Sequence, residues 1–391
     1  MQFQTSSQFI RYDQKVHIYS KALLSNLANL KSLCKPETKF CAVIKANGYG
    51  HGIKEIVEIL KKGPVDFFAV ANVYEAAFIA DTVGEAKILI LEPIHTAYSS
   101  DAVQLCAQKG FHCAVVDIEA LRFVQDCLAN SSDVLNVHIK VETGMGRCGV
   151  DAAKAAELIK KVRSFRNVKL AGVYTHFSTA AEKDLSFAEQ QLEKFKKFLS
   201  GQSLLACPLR PRSEASKDVI IHAANSAAML NMPQAHFDMV RCGIALFGWA
   251  EHRDILNIKL TPAMKFEAPI VQINRYKKGQ TVGYGRTFTT WRDTIGAIVP
   301  VGYADNYWRL YSNNAVMKVG NNFAQVIGRV SMDKTVIDVT DMPDVKIGQF
   351  VTIIDNDSES LCSVYRLAEM ADSICHEVLT SLPSRALRII H

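Results

Sequence analysis

The chain has 391 residues, of which 49% are hydrophobic and 21% are charged. This composition excludes a disordered chain and suffices for two or three domains with cores of their own. The net charge of +6 is small for this length, so the charge gives no reason to expect nucleic acid as a partner.

The start of the chain and its cysteines predict a cytoplasmic protein. Residues 1–15 contain no apolar core of a signal peptide, and no uncharged apolar run reaches about 18 residues, so we expect neither export nor a membrane span. The ten cysteines include no C-x-x-C pair, which argues against a zinc ribbon. Most lie in apolar or helical segments, and we interpret them as buried free thiols of a reducing compartment.

Short apolar runs alternate with helical stretches in the first two thirds of the chain. Eight such runs occur, at residues 40–46, 67–72, 87–92, 112–117, 136–142, 170–177, 219–225 and 240–248. Between two of them, residues 185–199 place their apolar side chains on one helical stripe. Eight strand–helix units predict an α/β fold, a (β/α)8 TIM barrel. A doubly wound open sheet is the alternative, but no G-x-G-x-x-G follows the first strand.

Polar side chains cluster where these runs end. They are Lys45, Asn72, Glu92, Lys140, Glu142, His176, Asn225 and Arg241. In a barrel the carboxyl ends of the strands form the active-site face, so this clustering predicts an enzyme.

The sequence pattern changes near residue 261. Helical stripes give way to alternating strands separated by glycine turns. We therefore predict a barrel domain over residues 1–260 and a mostly β domain over residues 261–391. One helix, over residues 363–372, is expected inside the second domain.

The densest candidate site is AVIKANGYGHG, residues 42–52, in which Lys45 ends an apolar strand. Partial desolvation lowers the pKa of a lysine and makes its amine a competent Schiff-base nucleophile. A lysine that extends its amine to solvent at the barrel mouth is the alternative interpretation.

This segment resembles the pyridoxal 5'-phosphate (PLP) attachment segment of the alanine racemase family. Seven further segments resemble family blocks in the family order, at residues 138–150, 174–180, 222–230, 238–248, 281–288, 299–309 and 328–339. The resemblance implies a PLP-dependent isomerase that interconverts L-alanine and D-alanine and supplies D-alanine for the bacterial cell wall. It also implies a homodimer with shared active sites.

The resemblance implies catalytic roles for four residues. Racemisation requires two acid/base groups on opposite faces of a planar carbanion. Lys45, which holds PLP covalently, would act on D-alanine, and Tyr284 would act on L-alanine. A tyrosine with an ordinary pKa of about 10 is a poor base at neutral pH, so it needs a positive neighbour or a hydrogen-bonded relay. His176 and Arg241 would supply that help. From the residues alone, His176 could equally be a core histidine, and Arg241 could pair with Asp238.

The resemblance also implies how the cofactor is held. Arg241 would contact the pyridine nitrogen, and because arginine cannot accept a proton, that nitrogen would stay neutral. Tyr49, Ser226 and the backbone amides of Gly243 and Ile244 would contact the phosphate. Without the family, the segment around Gly243 also fits plain strand packing.

The implied substrate contacts lie on both predicted domains. Arg147 and Met332 would bind the substrate carboxylate, with Asp333 beside them. Lys140 matches a family lysine that is often carbamylated to hold this arginine, and a salt bridge to a carboxylate is the alternative. Tyr303 and Arg309 would line the entryway.

Two positions depart from the family pattern. Ser384, in EVLTSLPSR, stands where the family has a tyrosine that contacts the phosphate and narrows the entrance. Ala181 stands where the family has an entryway acid. These departures favour acceptance of serine or larger amino acids as an alternative to strict alanine specificity. A non-catalytic PLP-binding protein is a further alternative, and a decarboxylase of the same architecture is disfavoured by Arg241.

Overall fold

The computed structural model describes residues 14–202, 204, 218–253 and 258–391. They form two compact units. The barrel unit comprises Leu24–Gly48 and Ile56–Leu260, and the sheet unit comprises residues 14–23, Tyr49–Glu55 and Thr261–His391. Because each unit combines separate parts of the chain, a single boundary after residue 260 stays a prediction.

Eight parallel strands close the barrel, and the last pairs with the first. They are β2 (Lys39–Val43), β3 (Phe67–Val70), β4 (Lys87–Pro93), β5 (His112–Val115), β6 (Leu135–Lys140), β7 (Val168–Tyr174), β8 (Ile220–His222) and β9 (Met239–Cys242). Each coincides with one of the eight apolar runs, so the predicted (β/α)8 barrel is confirmed. β3 and β5 are buried along their full length, as expected for strands covered on both faces.

Helices follow the strands. They are α1 (Ser20–Lys31), α2 (Lys45–Tyr49), α3 (Ile53–Leu60), α4 (Val73–Ile79), α5 (Ser100–Gln108), α6 (Ile118–Cys127), α7 (Ala152–Val162), α8 (Ser186–Gly201) and α9 (Ser226–Asn231). The side chains of Asn72, Asp117 and Asp151 each accept a first-turn amide and so fix where α4, α6 and α7 begin. α8 buries Leu192 and Phe195, which belong to the apolar helical stripe predicted for residues 185–199. Among the described residues, no helix is both long and apolar enough to cross a membrane.

The sheet unit is mostly β, as predicted. Its strands are β1 (Lys15–Ile18), β10 (Met264–Pro269), β11 (Gln272–Tyr276), β12 (Thr281–Val282), β13 (Phe288–Thr289), β14 (Thr294–Val299), β15 (Val316–Val319), β16 (Asn322–Gln325), β17 (Thr335–Asp338), β18 (Phe350–Ile354) and β19 (Leu387–Ile390). A six-stranded sheet has the order β16-β15-β18-β10-β1-β19. The predicted helix is present as α10 (Val364–Met370), and α11 (Cys375–Thr380), which the sequence did not predict, follows it.

The cysteines fit the expectation of free thiols, and all but three of those described are buried. All nine cysteines within the described residues are free, and six of them are buried. Cys148 is exposed because it lies on the loop after β6, and Cys207 lies outside the described residues.

Candidate active site

A left-handed turn follows β2 and begins directly after Lys45. Residues 46–48 have φ between 53° and 63°, a region that residues other than glycine rarely occupy. Glu75 braces the turn, since its Oε1 accepts the Ala46 amide at 2.7 Å and its Oε2 accepts the Ala71 amide at 2.8 Å. Strained backbone of this kind is maintained by its surroundings and concentrates at functional sites.

The Lys45 amine is half-buried at the carboxyl end of the barrel. Burial lowers the pKa of Lys45, the nearby Arg147 lowers that pKa further, and Glu75 acts in the opposite direction. A lowered pKa increases the fraction of neutral amine, which is the nucleophilic form. The site therefore favours the Schiff-base interpretation over a lysine that simply extends into solvent.

Lys140 lies at the end of β6 and is only 6% exposed. Burial, and then the charge of Arg147, lower the pKa of Lys140 to about 8. No acidic side chain within the described ranges forms an ion pair with Lys140, so the structure does not contain the salt bridge considered as its alternative. The amine is thus a partly neutral nucleophile rather than half of a salt bridge.

Arg147 is exposed on the loop after β6, and Glu142 holds that loop in place. The Glu142 carboxylate accepts the backbone amides of Gly144 and Met145 at 2.6 Å each, and that of Gly146 at 3.1 Å. Three amides on one carboxylate fix the loop backbone and so position Arg147 near Lys140.

Arg241, on β9, is a buried cation held by neutral acceptors. Its Nη1 donates to His222 Nδ1 at 2.8 Å, and its Nη2 donates to the carbonyl oxygens of Thr175 and Ala223 at 2.9 and 3.1 Å. Nη2 also lies 3.2 Å from His176 Nδ1. Within the part of the chain that the structure describes, no carboxylate forms an ion pair with it.

The proposed pairing of Arg241 with Asp238 therefore does not occur. Asp238 Oδ2 instead accepts the Ile221 amide at 2.8 Å. Burial lowers the pKa of Arg241, but a guanidinium keeps its proton because its ordinary pKa is so high. The barrel thus contains a positive charge that no carboxylate neutralises.

His176 follows β7 and is neutral. Burial, and next the charge of Arg241, hold the pKa of His176 well below its usual range. Because an arginine N–H can only donate, His176 Nδ1 accepts from Arg241 and the imidazole proton lies on Nε2. His176 is therefore not a self-contained core histidine. Its Nε2–H is a donor whose orientation Arg241 fixes.

The barrel residues predicted to bind the phosphate are neighbours. Ser226 is the first residue of α9, and its Oγ accepts the Gly243 amide at 2.8 Å. Ile244 directly follows Gly243 and opens a short 3-10 turn, Ile244–Phe247. One hydroxyl and two successive backbone amides therefore lie together after the last two barrel strands, where barrels bind phosphate groups.

The remaining predicted residues belong to the sheet unit. Tyr284 is 71% exposed and begins a short turn after β12. Gly283 has φ 72°, and a Cβ there would lie 3.2 Å from the Arg329 backbone nitrogen, so this turn requires glycine. Tyr49 is buried, with its ring centroid 6.0 Å from that of His376.

Asp333 has a partner that the sequence did not suggest. Arg385 donates from Nη2 to Asp333 Oδ1 at 2.8 Å and from Nε to Asp305 Oδ1 at 2.5 Å. Met332, beside Asp333, is 55% exposed. Arg385 therefore links the loop that carries Met332 to the loop that contains Asp305, and the Asp333 carboxylate is its bonding partner on the first of these loops.

The other entryway candidates are surface residues with one exception. Tyr303, Arg309 and Ser384 are exposed. Ala181 is buried, at 7% exposure.

Comparisons with known proteins show the family of the chain. The family model for the alanine racemase N-terminal domain matches residues 18–251, and the model for the alanine racemase C-terminal domain matches residues 263–390. An alanine racemase of Halothermothrix orenii is 34% identical over 365 residues, covering 93% of this chain and 93% of that protein. Alanine racemase 1 of Caldanaerobacter subterraneus is 32% identical over 380 residues, covering 96% of this chain and 94% of that protein.

Solved structures show the same relationship. An alanine racemase of Clostridium difficile superposes with a TM-score of 0.88 at 28% identity, covering 98% of this chain and 96% of that one. An alanine racemase from E. faecalis superposes with a TM-score of 0.85 at 29% identity, covering 97% and 98%. The fold and these relatives define the class of the protein as a barrel-based isomerase. The chain belongs to the alanine racemase family.

Proposed function

We propose that the protein interconverts L-alanine and D-alanine with PLP held covalently by Lys45. The observation that carries this proposal is the Arg241 cation, which is buried, has no carboxylate partner within the described ranges and lies in the same barrel as a lysine of lowered pKa. A guanidinium that can only donate suits a neutral pyridine nitrogen, whereas a carboxylate there would keep the nitrogen protonated. When bound, PLP supplies the electron sink for the carbanion.

The protein side chains supply the two bases. Lys45, with its lowered pKa, takes and returns the α-proton of D-alanine, and the partner subunit's Tyr284 does so for L-alanine. Arg241 orients His176 so that its Nε2–H can donate to the tyrosine oxygen and stabilise the phenolate. The exposure of Tyr284 and Met332, at 71% and 55%, supports a role for both at a second subunit.

The remaining roles follow the same family pattern. Tyr49, Ser226 and the amides of Gly243 and Ile244 bind the phosphate, and Arg147 and Met332 bind the substrate carboxylate. Asp333 contributes by holding Arg385. We further propose a barrel domain over residues 1–260, a β domain over residues 261–391 and a homodimer. The free thiols support a reducing cytoplasm, where D-alanine is made for peptidoglycan.

Reconstitution with PLP tests this function directly. We expect a visible absorbance band from lysine-bound PLP, a borohydride-stable adduct on the peptide that contains Lys45, and conversion of L-alanine followed by circular dichroism. A protein that binds PLP on another lysine, or that binds it on Lys45 without converting alanine, would contradict the proposal.

Lys140 is expected to carry a carbamate. Because its pKa is lowered to about 8, about a tenth of the amine is neutral at pH 7, far more than for an ordinary lysine, and this neutral form can react with carbon dioxide. The hydroxyl of buried Tyr174, whose ring lies 5.8 Å from the Lys140 amine, has no partner in the structure and suits a nearby acceptor. Carbon-13 NMR with labelled bicarbonate should give a carbamate signal that disappears in Lys140→Met and persists in Lys169→Met. A carbamate signal that persists in both variants would rule out Lys140 as the modified residue.

Ser384 is expected to widen substrate range. A serine side chain at position 384 lacks the aromatic ring that narrows the active-site entrance in the family. The substrate L-serine should therefore be racemised at a rate measurable beside that of L-alanine. Ser384→Tyr should lower kcat/KM for serine relative to alanine by about tenfold, the lower end of the range for a small steric change in a pocket. Steady-state kinetics with both substrates decides this, and a negligible serine rate in the wild type would refute it.

A further inference from the structure

Three buried histidines continue from Arg241 through the barrel interior. Arg241 Nη1 lies 2.8 Å from His222 Nδ1, His222 Nε2 lies 2.8 Å from His138 Nδ1, and His138 Nε2 lies 2.8 Å from His112 Nδ1. These residues belong to β9, β8, β6 and β5. His138 and His112 do not contact the residues predicted for catalysis, and we call the three imidazoles the histidine chain.

The direction of every hydrogen bond in the histidine chain follows from the arginine. A guanidinium can only donate, so His222 Nδ1 accepts and the His222 proton lies on Nε2. A neutral imidazole has one donor and one acceptor, so His222 Nε2–H donates to His138 Nδ1, and His138 Nε2–H donates to His112 Nδ1. All three rings are therefore the Nε2–H tautomer.

The histidine chain is uncharged. Burial holds the pKa of His138 and of His222 well below the usual range. Burial, followed by the charges of Lys87 and Lys169, lowers the pKa of His112 to about 3. Three neutral rings with aligned N–H bonds direct the electron-rich ends of their dipoles toward Arg241, and hydrogen bonds in such a chain polarise one another.

The surrounding barrel is shaped to keep these rings in place. Gly172 on β7 has no side chain, and a Cβ there would lie 2.2 Å from His138 Nδ1. The Tyr174 ring stacks on His222, with centroids 4.7 Å apart and planes at 4°. His112, the far end of the histidine chain, lines a cavity of about 670 Å³ together with Lys87 and Lys169, both from the amino-terminal part of their strands.

We propose that His138 and His112 are positioning residues that act on the active site through His222 and Arg241. The histidine chain stabilises the buried guanidinium by aligned dipoles instead of a carboxylate, which leaves its full positive charge available to the cofactor nitrogen and to His176. The proposal rests on the proposed role of Arg241. The proposal does not include proton conduction, because the histidine chain ends at Arg241, whose guanidinium does not give up its proton.

The tautomers can be measured without reference to activity. In the wild-type holoenzyme labelled with nitrogen-15 histidine, long-range proton–nitrogen correlation should show His112, His138 and His222 as neutral Nε2–H rings between about pH 6 and pH 9. A Nδ1–H tautomer or a charged ring at His222 would overturn the proposal, whether or not the protein is a racemase. If the tautomers are as expected but no racemisation occurs, the proposed function fails instead.

Variants at His112 test the effect on the reaction. His112→Met leaves the His138 donor with at most a weakly accepting thioether, whereas His112→Gln offers an amide oxygen in its place. We expect His112→Met to lower kcat by about tenfold, as loss of an outer partner does at metal sites, with KM little changed, and His112→Gln to recover most of the loss. The matched control is His236→Met, which removes a buried histidine whose ring, among the described residues, bonds only the Met229 carbonyl, away from the histidine chain.

The outcomes separate clearly. Equal kcat values for His112→Met, His112→Gln and His236→Met would overturn the role of His112. Thermal unfolding shows whether His112→Met folds. If it does not, the proposal is still decided by the wild-type tautomers and by comparison of the kcat and KM of His112→Gln with those of the wild type. In that case Nε2–H tautomers together with a His112→Gln kcat close to that of His236→Met support the proposal. Either a different tautomer at His222 or a His112→Gln kcat well below that of His236→Met overturns it.

Discussion

Lys45→Ala is expected to abolish the visible band of lysine-bound PLP and to lower alanine racemisation by about 10³-fold or more. The variant loses the covalent attachment and also the base that acts on D-alanine, and a positioned general base alone contributes about 10²–10⁴-fold. The half-buried position and lowered pKa of Lys45 suit its amine to both roles. The absorbance spectrum and the circular dichroism assay measure the two losses separately.

Lys62→Ala is the matched control for this change. Lys62 is an exposed lysine of the barrel unit, and its removal should alter neither the band nor the rate. If Lys45→Ala kept the absorbance band, the cofactor would be attached elsewhere and the assignment of Lys45 would be wrong.

Tyr284→Phe is expected to lower racemisation in both directions by about 10²–10⁴-fold, because it removes one general acid/base. The two directions must fall together, since the equilibrium constant between the enantiomers is unchanged. The informative measurement is exchange of the α-proton with heavy water. D-alanine should still exchange through Lys45, whereas exchange of L-alanine should fall by the same factor as racemisation.

Tyr74→Phe is a suitable control, because Tyr74 is 79% exposed on the barrel unit and has no proposed role. An equal loss of exchange for the two enantiomers, accompanied by a raised KM, would show that Tyr284 only binds the substrate. The two-base assignment would then be wrong.

The barrel could be predicted from the sequence because each of its strands is a continuous apolar run. β1 could not, since KVHI alternates polar and apolar residues over only four positions and its partners, β10 and β19, lie in the last third of the chain. The left-handed turn after Lys45 also has no local signal at Ala46, because only contacts such as the Glu75 carboxylate sustain its positive φ.

The candidate site, like the fold, could be predicted from the sequence only in part. Lys45, His176 and Arg241 could be predicted because polar residues at the ends of apolar strands face the mouth of a barrel. The link between His138 and His222 spans 84 residues, and that between Arg385 and Asp333 spans 52. Histidines inside buried strands signalled that partners must exist, but only the fold shows which ones.

The pairing of β1 with β19 has a consequence for synthesis on the ribosome. β1 is translated early, yet its parallel neighbour spans Leu387–Ile390. At about 5–20 residues per second, β1 waits roughly 20–70 seconds for this partner. The barrel strands can pair with one another during that time and β10 can cover one edge of β1, whereas the edge that β19 will cover stays open to other chains. Nascent-chain aggregation should therefore depend on the residues of β1 more than on any barrel strand.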